Sequence, residues 1–141
     1  MSKYERTSWR DGLMSERHRH YGDNCPAMDI DFLLIEYDEA RPVALVEYKN
    51  QQANAWREDN PSRRAVSRLA DSAGLPAFYV RYATNFSWFN VAALNELAKP
   101  FLEESPQLMT EVGWVEILYR LRGRTMPDDV REEVEGLDRS R

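Results

Sequence analysis

Along Met28–Tyr37 the chain reads Met-Asp-Ile-Asp-Phe-Leu-Leu-Ile-Glu-Tyr, with Ile30, Phe32 and Leu34 at one parity and Leu33 and Ile35 at the other. Such a run of β-branched and aromatic residues predicts a strand. After Asp38-Glu39-Ala40-Arg41, a second run of the same kind extends from Pro42 or Val43 to Lys49, so the two form a hairpin. Ile30, Phe32 and Leu34 then share a face with Ala44 and Val46, and Leu33 and Ile35 share the other with Val43 and Leu45. Both faces are apolar near the turn, which predicts a sheet covered on both sides.

Helical spacing brackets the hairpin. Tyr4 to His20 carries Trp9, Leu13 and Met14 among charged residues and predicts an amphipathic helix that Gly22 helps to end. Residues 50–60 are polar and read as a loop or a short turn. Asn60-Pro61 has the form of an N-cap followed by proline at the first helical position. The helix it opens has a stripe of Ala65, Val66, Leu69, Ala70 and Ala73, and Gly74 with Leu75-Pro76 stops it. Ala77–Tyr82 reads as a third strand, and Trp88–Ala93 as a fourth short strand or the entrance to a helix over Asn90–Lys99. Thr110 caps a last helix in which Trp114, Ile117, Leu118 and Leu121 recur before Gly123. The expected fold is α/β, a small mixed central sheet with helices on both faces. It forms one domain over residues 1–125, and residues 126–141 form an acidic C-terminal tail or frayed helix.

The length of 141 residues allows one such core and no second full domain. No apolar run approaches the roughly 18 residues of a membrane span, and the charged start lacks the apolar stretch of a secretory leader. A cytoplasmic protein is expected, with no membrane partner. Cys25 is the single cysteine, which excludes an internal disulfide and a Cys-x-x-Cys centre. His18, His20 and Cys25 lack a fourth ligand for zinc. Chemistry therefore falls to oxygen and nitrogen groups.

The net charge of −5 disfavours nucleic acid if taken alone, but residues 126–141 hold six acids against three arginines, so the body of the chain is nearly neutral. Arginines gather at Arg17 and Arg19, at Arg57, Arg63, Arg64 and Arg68, and at Arg120, Arg122 and Arg124.

At the open end of the hairpin, Asp29 and Asp31 share parity on the first strand, and Glu47 and Lys49 on the second. Opposed residues of an antiparallel pair share a face, so the pairing sum must be even for Asp31 to lie with Glu47 and Lys49. A three-residue loop at 39–41 or a five-residue loop at 38–42 sets Asp31 opposite Lys49, with Glu47 a diagonal neighbour roughly 7–8 Å away. A four-residue loop without a bulge would put Asp31 on the wrong face. Buried charges without partners cost several kcal/mol, so this cluster calls for a cation, the lysine or protonation to neutralise it. Hard oxygen ligands suit Mg2+, which can polarise a phosphoryl oxygen and lower the pKa of a bound water while Lys49 holds or activates the nucleophile. Glu36 and Tyr37 read as surface and edge residues, and Trp56, Trp88 and Trp114 as core.

An aspartate leading an apolar strand, then a second apolar strand ending Val46-Glu47-Tyr48-Lys49, resembles the Asp…Glu-x-Lys core of the PD-(D/E)XK nuclease superfamily. That superfamily includes restriction endonucleases, Holliday-junction resolvases and recombination exonucleases. Its core of a helix, a three-stranded meander, a helix and a further strand is similar to the order read here, over about residues 12 to 82 and most firmly 28 to 49. The resemblance implies a restriction endonuclease-like core and Mg2+-dependent cleavage of DNA, with Mn2+ as a substitute metal. It makes Asp31 and Glu47 metal ligands and Lys49 the catalytic lysine, with Asp29 as an alternate or auxiliary ligand. Glu16 matches a helix-borne acid that many members use as an extra ligand, and Gln51 or Gln52 stands where some members carry a glutamine. The chain departs from the pattern in that Pro26-Ala27-Met28 precedes two competing aspartates. Many members dimerise, so a homodimer is an expectation. The stretch Arg17–Gly22 through Cys25-Pro26-Ala27 also resembles small bacteriophage proteins, which implies action in a host cytoplasm.

Arg64 and Arg68, one turn apart, and Arg17 and Arg19 are candidate phosphate contacts of the kind that position DNA without reading its sequence. Two other function classes fit the same residues: a nuclease-like fold that works as a protein-interaction or regulatory factor, and a metal-dependent hydrolase of small phosphorylated molecules.

Overall fold

The computed structural model describes residues 12–137. Helix α1 (Gly12–His18) stops before Gly22, whose φ of 91° is left-handed, and the expected helical stretch before Gly12 lies outside the described residues. Strands β1 (Phe32–Glu36) and β2 (Arg41–Asn50) follow, then α2 (Pro61–Ala73). The Asn60 side chain accepts from the Ser62 and Arg63 N–H groups, and Gly74 ends the helix at φ 70°. Strands β3 (Ala77–Tyr82) and β4 (Phe89–Ala93), a 3-10 turn over Glu96–Phe101, β5 (Gln107–Met109), α3 (Glu111–Arg120) and α4 (Asp128–Glu135) complete the order.

The five strands form one mixed sheet in sequence order. Strands β2 and β3 are parallel, joined by α2 as the crossover, and the other neighbours are antiparallel. Helices cover both faces. Val46, Phe78, Val80 and Val91 pack against Trp114 and Ile117 of α3 and Ala98 of the 3-10 turn on one side, and Leu45 and Ala77 pack against Val66 and Ala70 of α2 on the other. The fold is therefore the α/β arrangement that the pattern of apolar positions predicts.

Strand β1 differs from expectation. It is shorter than Met28–Tyr37, because beyond Phe32 the Tyr48 N–H donates to the Asp31 carboxylate at 3.1 Å, and the β1–β2 ladder ends at the Phe32–Val46 pair. Its second face is not covered, since β1 is the sheet edge and α2 packs over β2 and β3. Leu33 is 50% and Ile35 37% exposed, and Leu69 of α2, expected in the buried stripe, is 46% exposed on the same flank. Ala65 and Ala73 are exposed too.

Two further corrections concern charge and length. Glu36, expected at the surface, is buried and ion-paired with Arg124, which follows α3. The three residues of β5 are too few for an alternation to show in the sequence, and they pair with β4. The acidic end forms α4, which docks on α3 through the Arg131–Glu116 ion pair and lies beyond the buried Met126.

Candidate active site

The hairpin connection decides where the charged residues meet. Four residues, Tyr37 to Ala40, join β1 to β2, with the Ala40 N–H donating to Tyr37 O at 3.1 Å and Ala40 in the left-handed region at φ 50°. Glu36 pairs with Arg41 and Ile35 with Pro42, which is the parity that would separate the acids. The register then shifts between Leu34 and Ile35, and Leu34 pairs with Ala44, so Val43 is an extra residue on β2. Pro42 has no N–H to give the ladder, which suits it to a bulge. Past the bulge the sum of paired positions is even again.

The expected register is thus corrected by two places. Neither the three-residue nor the five-residue loop occurs; the ladder ends at Phe32–Val46, and Asp31, just before β1, neighbours Glu47. The same three side chains still come together, with Asp31 and Lys49 both beside the Glu47 carboxyl. Glu47 is 5% exposed, and Lys49 Nζ lies 3.9 Å from its Oε1. Burial, then the neighbouring Asp31 charge, raises the Glu47 carboxyl from 4.5 to about 7, against the opposing pull of Lys49. Its Oε2 is buried without a hydrogen-bond partner.

On the reverse face, Tyr48 anchors the strand end. Its hydroxyl accepts from Trp114 Nε1 at 2.9 Å, its ring makes edge contacts with Phe32, Tyr82 and Trp114, and burial raises its hydroxyl to about 12. Glu47 and Lys49 therefore project from a strand end whose intervening residue is fixed in the core.

Several functional neighbours lie in parts of the sequence that carried no motif. Strand β3 places Tyr79 beside Glu47 and Arg81 beside Lys49. The Lys49 ammonium lies over the Trp56 ring, 4.7 Å from its centroid, and Trp56 stacks on Tyr79. Arg81 Nη2 donates to Gln51 O at 3.0 Å and Ala53 O at 3.3 Å, tying down the loop after β2. The parity of Tyr79 and Arg81 was legible, but not the parallel register that aligns them with β2. Trp56 sits in a polar loop, where nothing distinguishes it.

Other predicted residues stand apart from this group. Glu16 lies exposed on α1, Asp29 is exposed before β1, and among the described residues no three His, Cys, Asp or Glu side chains converge as a metal site. Gln51 serves the loop, its Oε1 accepting from the Thr84 N–H at 3.0 Å. Arg17 and Arg19 are exposed at the end of α1 and beyond it. Arg64 and Arg68 are exposed on α2 and, with Arg63, line a shallow cleft of about 260 Å³. Neither Arg64 nor Arg68 has a carboxylate partner among the described residues.

Chemically, two adjacent carboxyl groups with an unpartnered buried oxygen form a hard-oxygen donor set, and an ammonium stands within reach of it. Compared with known protein families, with curated proteins and with solved structures, the chain matches none.

Proposed function

We propose that this chain is a divalent-cation-dependent nuclease that hydrolyses DNA phosphodiester bonds, of the kind found in the PD-(D/E)XK superfamily. The observation that carries the reading is the buried, unpartnered Glu47 Oε2 beside Asp31 and Lys49. An orphan buried carboxylate oxygen costs about 1–3 kcal/mol unless something satisfies it. A cation satisfies it and displaces the proton that burial favours. Mg2+, or Mn2+ in its place, fits the two carboxylates Asp31 and Glu47, because it accepts one or two carboxylates and keeps its remaining sites for water and phosphate. When bound, it supplies Lewis-acid polarisation of the phosphoryl group and a water of lowered pKa.

The chain's own residues do the rest. Asp31 is oriented by the Tyr48 N–H, and Glu47 is held by the strand whose next residue is locked to Trp114. The Lys49 ammonium donates to the attacking water or to a non-bridging phosphate oxygen and stabilises charge as it develops. Hydrolysis forms one bond from water oxygen to phosphorus and breaks the bond from phosphorus to one sugar oxygen, which leaves with a proton. Arg64 and Arg68 of α2 are the candidate contacts to the DNA backbone. No described helix is long and apolar enough to cross a membrane, and the proposed place of action is the cytoplasm.

Purified chain incubated with linear, nicked and branched DNA, with Mg2+, Mn2+ or EDTA, tests the reading. Cleavage that EDTA stops, and that falls at least about 100-fold in Lys49→Ala and Glu47→Ala, is expected. Intact DNA with every metal and a folded chain overturns it. That outcome supports the second reading, a catalytically inactive nuclease-fold module acting as a protein-interaction or regulatory factor, which the net charge of −5 and the lack of a third converging ligand among the described residues favour.

A further inference from the structure

Lys49 ends a four-carbon stem, and a free lysine side chain carries about 2 kcal/mol of rotamer entropy. Its one carboxylate contact among the described residues, Glu47 Oε1 at 3.9 Å, is too long to fix it. What confines the ammonium is an aromatic face. Lys49 Nζ lies 4.7 Å from the Trp56 ring centroid, Trp56 stacks on Tyr79 at 5.8 Å and 28°, and the Arg63 guanidinium lies over the Tyr79 ring at 5.2 Å. The order is cation, ring, ring, cation. Each positive charge meets the negative face of a π system.

Polar contacts hold the main chain of Trp56 to the same two residues. The Trp56 main-chain N–H donates to the Tyr79 hydroxyl at 2.8 Å, and Arg63 Nη1 donates to the Trp56 carbonyl at 3.4 Å. Trp56 lies outside regular secondary structure, between β2 and α2, so its place depends on these partners and on the stack with Tyr79. Strand β3 supplies Tyr79 and helix α2 supplies Arg63, both rigid elements. The loop backbone at Trp56 is therefore tied to the scaffold, and stacking on Tyr79 orients the indole.

We infer that Trp56 is the positioning residue for Lys49, holding its ammonium beside Glu47 through a stack completed by Tyr79 and Arg63. The inference rests on the nuclease reading for its consequence in turnover, but the stack has its own signature. The ring current of Trp56 shields the Lys49 ε-methylene protons. Lysines occur at positions 3, 49 and 99 only, so lysine-labelled protein gives a simple carbon–proton spectrum, which Lys49→Ala assigns.

Expected are an upfield Lys49 ε-methylene signal in the unsubstituted chain, its retention in Trp56→Phe and its loss in Trp56→Leu. DNA cleavage in Trp56→Leu should fall about tenfold in kcat with KM nearly unchanged, and Trp56→Phe should recover most of it. Should Trp56→Leu fail to fold, Arg63→Gln loosens the stack from its far end and is expected to move the Lys49 signal towards the ordinary lysine position. An ordinary Lys49 signal in the unsubstituted chain, or one unmoved by Arg63→Gln, overturns the inference alone. Cleavage unchanged in Trp56→Leu but abolished in Lys49→Ala also overturns it and leaves the nuclease reading standing. No cleavage by the unsubstituted chain under any metal overturns that reading and the inference resting on it.

Discussion

Asp31 neighbours Glu47 at the end of the β1–β2 ladder, and Val43, an extra residue on β2, restores the parity that the four-residue turn before it reverses. The result is a pair of neighbouring acids, one of them 5% exposed. Two carboxylates so placed cannot both ionise without help. The structure resolves the conflict by raising the Glu47 carboxyl to about 7, with burial as the main cause and the Asp31 charge second.

That shift makes stability depend on pH in a stated direction. Between 4.5 and about 7 the folded chain keeps a proton on Glu47 that the unfolded chain has lost. The favourable contribution is whole below 4.5 and gone once pH has risen through 7. From pH 5 to pH 8, unfolding in urea should show a loss of roughly 2 kcal/mol traceable to this group. Glu47→Gln should remove that slope. Mg2+ or Mn2+ should raise the midpoint at pH 8 and do little at pH 5, because the cation competes with the proton. An equal metal effect at both pH values would count against Glu47 as a ligand.

The turn that sets the register carries its own cost. Ala40 sits at φ 50°, where a Cβ is unfavourable and glycine is not. Ala40→Gly should stabilise the chain by about 0.5–1 kcal/mol, read as a higher urea midpoint with an unchanged slope. It should leave the acids where they are, since the bulge at Val43 is untouched.

Much of this architecture was visible in local chemistry. Asn60-Pro61 and Gly74 bounded α2, and Thr110 opened α3. The turn was not visible, because the phase change made by the extra residue falls in Val43-Ala44-Leu45-Val46, where every position is apolar and the alternation leaves no mark. Nor was the exposure of Leu33 and Ile35, which depends on β1 lying at the sheet edge beyond the reach of α2. Trp56 and Tyr79 come together through a parallel crossover, a long-range fact with no short-range signal. Glu36 looked like a surface acid because its partner, Arg124, is far along the chain.

Tyr48 links the candidate site to the core on the opposite face. Tyr48→Phe would leave the buried Trp114 Nε1 donor without its 2.9 Å acceptor. A loss of about 1–2 kcal/mol in unfolding free energy is expected, larger than the removal of one hydroxyl from the surface. The hydroxyl, pushed up to about 12, should also be a late phenol in an alkaline ultraviolet titration, and its step should vanish in Tyr48→Phe. Because the folded pKa lies above the ordinary value of 10.0, stability due to this group is intact below 10.0 and declines as pH rises towards 12.

The arginines of α2 make a prediction about binding that does not depend on catalysis. Arg64 and Arg68 are like charges one turn apart with no carboxylate partner among the described residues, so each is available to a phosphate. A phosphate contact releases condensed counterions, and log K then falls with log salt by about 0.9 per contact. With Lys49→Ala used to prevent cleavage, the double variant Arg64→Ala/Arg68→Ala should bind duplex DNA more weakly and with a salt slope smaller by roughly 2. The loss should be the same for unrelated sequences, because backbone contacts position DNA without reading it. A weaker affinity with an unchanged salt slope would mean that the arginines act on the fold of α2 and not on phosphate.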